Sequence, residues 1–371
     1  MKNIATRKLL PVLMLCLITS VGFGQSTNNM RVLAYYAGSP AELDNYDVNQ
    51  MTHIIFCFGH LEGNRFKVRS AQDTATIQKM VSLKKKNPQL KVIVSLGGWG
   101  GCETCSSVFS TKKGRKEFAQ SIKELHQYFG TDGLDLDWEY PAVEGFPGHK
   151  YTPADKQNFT KLVKTLRKLG SNYELSFAAG GFKEFLDKAV EWKKVMRQVD
   201  YVNLMTYDLI NGYSKVTGHH TGLYSTPNQE SSTDFAVNYL INLGIPREQL
   251  IVGAAFYGRM FQNVENVNNG LSQPGKFKGA VDFKDLATQL PADSGYVSFW
   301  DETAKAPYLY NPAKKLFFTY DDKRSMELKT KYVLDKKLGG IMFWQLGSDT
   351  YTEGLLQTIH NIKSNYTSPI K

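Results

Sequence analysis

Eight times along the chain a short run rich in apolar and β-branched residues recurs, at 31–36, 53–58, 91–96, 133–139, 174–179, 201–207, 250–257 and 340–345. Most are followed by a helix-length stretch whose apolar residues fall three or four apart, as Phe118, Ile122, Leu125 and Phe129 do within 114–129. The stretches 74–86, 154–169, 233–244 and 323–337 read the same way. Strand then helix, repeated this often, predicts an α/β fold closed as a parallel (β/α)8 TIM barrel. An open doubly wound sheet fits less well, because no Gly-rich phosphate loop opens a helix after the first run. One connection is too long for a barrel loop. From Arg259 to Asp322 the sequence is aromatic, punctuated by Gly and Pro, and carries strand-like pieces such as YVSFW and LFFTY. It predicts a small α+β insertion between strands seven and eight. The expected organisation is a signal peptide over 1–24, a barrel over 25–258 and 323–371, and an insertion domain over 259–322.

The fourth run is chemically unusual. GLDLDWEY (133–140) sets Asp135, Asp137 and Glu139 at alternate positions, between Leu134, Leu136 and Trp138. Side chains alternate along a strand, so the acids share one face and the apolar residues the other. In a barrel the apolar set packs under the helices. The acids then point inward, with Glu139 nearest the C-terminal rim where barrel active sites sit. Asp132 precedes them and is expected to fix the start of the strand. Burial and like-charge neighbours both disfavour ionisation, so the group should share protons and titrate as a unit. That holds Glu139 ready as a general acid. A divalent-metal site built from the same carboxylates is the competing reading. No His or further acid repeats at ligand spacing on a neighbouring run, so no metal and no cofactor are expected.

Lys2, Arg7 and Lys8 precede an apolar run from Leu9 to Val21, and small residues follow at Gly22 and Gly24. This is the order of a secretory signal peptide cleaved near Gly24, too short for a membrane anchor. The mature chain is expected to be secreted, extracellular or periplasmic. Without the three signal residues, the 45 basic residues become 42 against 35 acids. They are scattered in helix-like segments rather than striped among aromatics, which argues against nucleic-acid binding. Cys102 and Cys105 form one CxxC in a Gly-rich loop, read as a local disulfide because no second ligand pair for zinc is present. Cys57, inside an apolar run, reads as a small buried hydrophobe.

The other strand ends carry chemistry too. Tyr207-Asp208, Tyr257-Gly258-Arg259 and Trp344-Gln345 end runs six, seven and eight, and Ser95-Leu96-Gly97-Gly98-Trp99 ends run three. Aromatics, hydroxyls and a few charges around one rim suit a sugar, which offers apolar ring faces and many hydroxyls.

These residues closely resemble the chitinases of glycoside hydrolase family 18, over essentially the whole chain after residue 24. The family's DxxDxDxE pattern matches Asp132, Asp135, Asp137 and Glu139, and its SxGG strand matches Ser95, Gly97 and Gly98. MTYD (205–208), FYGR (256–259) and GGIMFWQ (339–345) follow in the family's order, and FWDETAKAPYLYN (299–311) looks like its small insertion domain. The resemblance implies a substrate-assisted retaining hydrolysis, an exception to the two-carboxylate scheme. Glu139 would be the acid and then the base, and Asp137 the partner of the substrate's acetamido N–H. Asp135 would tune Asp137, and Tyr207 would hydrogen-bond the acetamido oxygen. Trp344 would floor the cleavage subsite, lined by Met205, Asp208, Tyr257 and Arg259, with Tyr35, Phe58 and Trp99 shaping the cleft wall. Gly97 and Gly98 would let the backbone pass close to substrate.

Two departures from the family pattern bear on subsite number. Many relatives carry a Trp shortly after the first-strand tyrosine, where this chain has Ala37-Gly38-Ser39-Pro40. The usual FHG-then-Trp after MTYD is replaced by Leu209-Ile210-Asn211-Gly212-Tyr213, which makes Tyr213 the expected leaving-side platform. The expected partner is chitin or chito-oligosaccharides, handled by a monomer. The alternatives are an endo-β-N-acetylglucosaminidase on N-glycan cores and a lectin-like barrel that binds chitin without cutting it. Relatives of the last kind typically lack the terminal acid, which is present here as Glu139.

Overall fold

The computed structural model describes residues 30–170 and 172–367, so the signal peptide expected at 1–24 lies outside the described residues. The barrel strands are β1 (Arg31–Tyr36), β2 (His53–Glu62), β4 (Lys91–Gly97), β5 (Gly133–Asp137), β6 (Glu174–Gly180), β7 (Tyr201–Met205), β8 (Leu250–Ala255) and β14 (Gly340–Trp344). They pair in parallel in that order, and β1 bonds to both β2 and β14, which closes the ring. The short strand β3 (Arg65–Lys67) is antiparallel to the extended end of β2. The closed parallel barrel is therefore the fold.

Alternation within each strand divides two cores. Leu134, Leu136 and Trp138 face outward with Val92, Val94, Phe177 and Val202, against Phe118, Ile122, Phe159 and Leu162 of the helices. Leu33, Tyr35, Ile55, Ile93, Tyr201, Met205, Ile251 and Met342 fill the barrel interior. Several helices begin where a side chain satisfies free N–H groups of the first turn. Ser70 and Asp73 form a reciprocal capping box on α1 (Ala71–Ser82). Thr111 caps α3 (Lys112–Phe129), which ends on Gly130 in a left-handed conformation with φ 73°.

Several strands stop earlier than their apolar runs. The run 201–207 leaves the ladder after Met205, and Asp208 takes a left-handed φ of 54°. The run 250–257 leaves the barrel after Ala255, and Tyr257 opens a new strand in a second sheet. That sheet is antiparallel, in the order β10 (Lys276–Asp282), β9 (Tyr257–Gln262), β13 (Leu316–Thr319), β12 (Ala306–Asn311), β11 (Val297–Asp301). Its one short α-helix is α8 (Leu286–Gln289). The barrel's last helices are α9 (Lys323–Asp335) and α10 (Leu355–Asn365), which pack on each other.

A buried ion pair locks the insertion's return to the barrel. Lys329 on α9 and Asp321 just before it are both fully buried, with Nζ 2.6 Å from Oδ2. The same carboxylate accepts from the Ala255 N–H at the end of β8, from the Thr221 hydroxyl, and from the Ser325 hydroxyl. Lys329→Met would leave that carboxylate buried without its counter-charge. The expected cost is about 3–5 kcal/mol in urea unfolding. A loss of only about 0.5 kcal/mol, the scale of a surface substitution, would refute the role assigned to the pair.

Candidate active site

The acids of β5 lie inside the barrel as alternation requires. Register places Ser95 of β4, Asp135 and Ser176 of β6 side by side in one layer. Four donors converge on Asp135: Ser95 Oγ at 2.8 Å and Tyr35 Oη at 3.0 Å on Oδ2, Ser176 Oγ at 2.7 Å and Asn203 Nδ2 at 3.2 Å on Oδ1. Burial pushes the Asp135 pKa up, and the four donors pull it back. Each donor favours the ionised form. Tyr35 is itself held in place, accepting from Asn203 Nδ2 at 2.9 Å.

Asp137, two residues higher, is also buried, and its Oδ1 has no hydrogen-bond partner. Its pKa is pushed well up, first by burial and then by Glu139 and Asp135. Glu139 lies at the rim, half-buried, and burial raises its carboxyl to about 7, with Asp208 adding repulsion. Three neighbouring carboxyls are thus stacked from the barrel core to its mouth. The lowest is dressed with donors, the middle one has a free acceptor, and the highest exchanges a proton near neutrality. Such a gradient separates acid and base roles among chemically identical groups.

The remaining predicted residues gather around this stack. Tyr207 is half-buried, with its ring 6.3 Å from Tyr257 at 74°, and burial raises its hydroxyl pKa strongly. Trp344 is half-buried at the end of β14, stacked on Phe58 at 5.5 Å and 12°, and tilted against Tyr35 at 6.2 Å. Met205 closes the interior beneath them. Asp208 is clamped by Tyr257 Oη at 2.8 Å and by Arg259 through Nε at 2.7 Å and Nη2 at 2.5 Å. The adjacent His220 and this bidentate clamp together hold the half-buried carboxylate's pKa below the usual range despite desolvation. Trp99, 48% exposed, and Tyr213, 60% exposed, stand 6.3 Å apart as an open aromatic wall. Asp132 accepts from the Val92 N–H at 2.7 Å and pairs with Lys84, at the start of β5 and away from the stack.

Gly97 and Gly98 do leave room, but for protein. A Cβ on Gly97, at φ 110°, would lie 2.2 Å from the Asp137 carbonyl oxygen, and one on Gly98, at φ 74°, would lie 2.4 Å from the Phe58 ring. Their lack of a Cβ lets β4 hug the acid strand and Phe58 reach Trp344. Cys102 and Cys105 are disulfide-bonded just beyond this turn, and Cys57 is buried and free.

Sequence reading passed over Ser176, Asn203, His220 and Phe146. Ser176 and Asn203 had a signal, since each is the polar residue at an inward position of an apolar run. Phe146, whose ring meets Trp99 at 5.6 Å, and the fully buried His220 come from loops, where no periodicity marks direction.

The comparisons agree with the geometry. The family described as Glycosyl hydrolases family 18 matches residues 31–349. Chitinase A1 of Niallia circulans is 35% identical over 298 residues, covering 74% of this chain but only 42% of its own length. Among solved structures, a family 18 N-acetylglucosaminidase from Paenibacillus barengoltzii aligns with a TM-score of 0.81 at 36% identity, over 90% of this chain and 99% of that one. The Ostrinia furnacalis group IV chitinase in complex with allosamidin aligns with a TM-score of 0.83 at 26% identity, over 90% and 99%. With the acid ladder, the clamped Asp208 and the aromatic rim all on one closed barrel, this chain belongs to glycosyl hydrolase family 18.

Proposed function

We propose that the protein is an exported chitinase that hydrolyses β-1,4-linked N-acetylglucosamine chains, by the substrate's own acetamido group rather than by a protein nucleophile. The carrying observation is the carboxyl gradient of β5, with the Glu139 carboxyl raised to about 7 at the mouth and a partnerless Asp137 Oδ1 beside it. Glu139 donates its proton to the glycosidic oxygen as the bond to the anomeric carbon breaks. The acetamido carbonyl oxygen attacks that carbon, giving an oxazolinium ion. Asp137 accepts the acetamido N–H and faces the developing positive charge, while Tyr207 donates to the acetamido oxygen. Glu139, now a carboxylate, takes a proton from the water that opens the oxazolinium, which restores the acid and gives net retention. The interior network from Ser95, Ser176, Tyr35 and Asn203 favours the ionised form of Asp135 against the effect of burial, and Asp135 in turn raises the pKa of Asp137.

Trp344 and Phe58 supply an apolar floor for the sugar ring at the cleavage point. Trp99 and Tyr213 offer faces for the leaving-side sugars. Export is supported by the basic-then-apolar order of residues 2–21 and by the Cys102–Cys105 disulfide. Of the described residues, no helix is long and apolar enough to cross a membrane.

The test is product analysis on chitohexaose with the intact protein. Shorter oligomers released first as the β-anomer, with activity surviving EDTA, are the expected result. Release of the α-anomer would sink the acetamido mechanism, and a complete lack of cleavage would sink the enzyme reading in favour of a binding barrel.

A further inference from the structure

His220 is a fully buried imidazole set against the clamped carboxylate of Asp208. Neither of its ring nitrogens has a hydrogen-bond partner, although its backbone N–H donates to Thr319 Oγ1 at 3.1 Å on the insertion strand β13. Nδ1 stands 3.7 Å from Asp208 Oδ1, just outside bonding reach, and the ring lies 5.2 Å from that of Tyr257. The charged and titratable groups around it are Asp208 after β7, Tyr257 and Arg259 on β9, and Asp321 before α9, whose charge is already matched by Lys329. A buried N–H without an acceptor costs about 1–3 kcal/mol. A fold that keeps one beside a carboxylate has a second use for it.

Asp208 shows what that use is. Oδ1 already accepts from Tyr257 Oη and Arg259 Nε, and Oδ2 from Arg259 Nη2. The Tyr257 ring lies 6.3 Å from Tyr207 at the same rim, and its hydroxyl has a single proton, so a sugar oxygen that accepts from Tyr257 takes a donor away from Asp208, whereas Arg259 keeps N–H groups to spare. The half-buried carboxylate, 34% exposed, would then lose one of its three hydrogen bonds to Tyr257 and Arg259, which costs free energy unless another donor replaces it. A shift of well under the length of a bond brings Oδ1 within reach of Nδ1. The imidazole suits the task, since burial lowers its pKa and keeps it a neutral donor that leaves the Asp208–Arg259 charge balance untouched.

We propose that His220 is a positioning residue: a reserve hydrogen-bond donor that holds Asp208 when a bound sugar draws the Tyr257 hydroxyl away. It extends the reading of this rim as a sugar site, and acts through Asp208 rather than by touching substrate. The backbone of His220 is bonded to β13, so the device also ties this part of the rim to the insertion sheet.

The experiment compares the full chain with His220→Leu, which fills the space without a donor, and with His220→Asn, which keeps one. On a fluorogenic chitotrioside, His220→Leu is expected to raise KM about tenfold, the scale of one hydrogen bond to a charged group, with kcat little changed. His220→Asn should recover most of the loss. A parallel measurement follows the His220 ring nitrogens by 15N NMR in the Glu139→Gln protein as tri-N-acetylchitotriose is added. A shift of the Nδ1 signal towards a hydrogen-bonded donor is expected. Unchanged KM in His220→Leu, an equal defect in His220→Asn, or an Nδ1 signal indifferent to saturating sugar would each overturn the proposal. If the wild type cleaves nothing, the hydrolase reading fails, while the NMR arm still decides this one.

Discussion

Glu139→Gln should lower kcat on a fluorogenic chitobioside by at least about 10³-fold, since in the proposed mechanism one carboxyl serves as acid in the first step and base in the second. The amide keeps the shape and the hydrogen bonding but can neither give nor take the proton. KM should change little if, as proposed, binding rests on the aromatic floor and the rim around Asp208. The wild-type pH profile carries the same signature. The acid must be protonated in the free enzyme, so kcat/KM should fall as pH rises through about 7, the value to which burial lifts the Glu139 carboxyl. Stability should move with it. The ordinary glutamate value is 4.5 and the folded value about 7, so the folded chain holds this proton more tightly than the unfolded one. That stabilising preference is full below 4.5 and lost as pH rises through about 7. Glu139→Gln, which has no such loss, should gain in melting temperature relative to wild type across that interval. An alkaline limb that stays near pH 5, or a variant retaining a tenth of the activity, would remove Glu139 from the acid role.

Asp137→Asn is expected to cost about 10²-fold or more in kcat, the scale of losing one pre-set electrostatic partner of a developing charge. Asp137 Oδ1 is buried and partnerless in the resting protein, and an amide in its place cannot be relied on to accept the acetamido N–H. The substitution also removes an acid that repels Glu139, so that the two titrate as a pair. The alkaline limb of the surviving activity should therefore move to lower pH. This shift separates the gradient from a simple loss of contact. Were Asp137 only a structural filler, kcat would drop without any displacement of the limb. Asp135→Asn should also cost activity, since an amide offers one acceptor oxygen to the four donors and turns its NH2 group against the rest.

How far the sequence could be read depended on whether periodicity set direction. On β5, period-two alternation alone sent Asp135 and Glu139 inward and Trp138 out to Phe109 and Phe159. The same parity marks Ser176 and Asn203, whose importance was legible but went unused because a single polar residue in an apolar run looks unremarkable. The early ends of β7 and β8 were not legible. Their runs continue as apolar sequence, but Asp208 turns into a left-handed conformation, and Phe256 hands the chain to a second sheet.

By itself the sequence determined the closed barrel, the inward face of its fourth strand and the residue types at its rim, because strand and helix periods are local properties of the chain. Only the tertiary structure decided which groups share a layer and how far each is stripped of water. Strand register put Ser95 and Ser176 on either side of Asp135, though they lie 40 and 41 residues from it along the chain. Loop packing buried His220 against Asp208 and stood Tyr213 opposite Trp99. Desolvation and charge proximity are sums over neighbours from distant segments, so the pKa order that assigns the roles exists only once the ring of strands has closed.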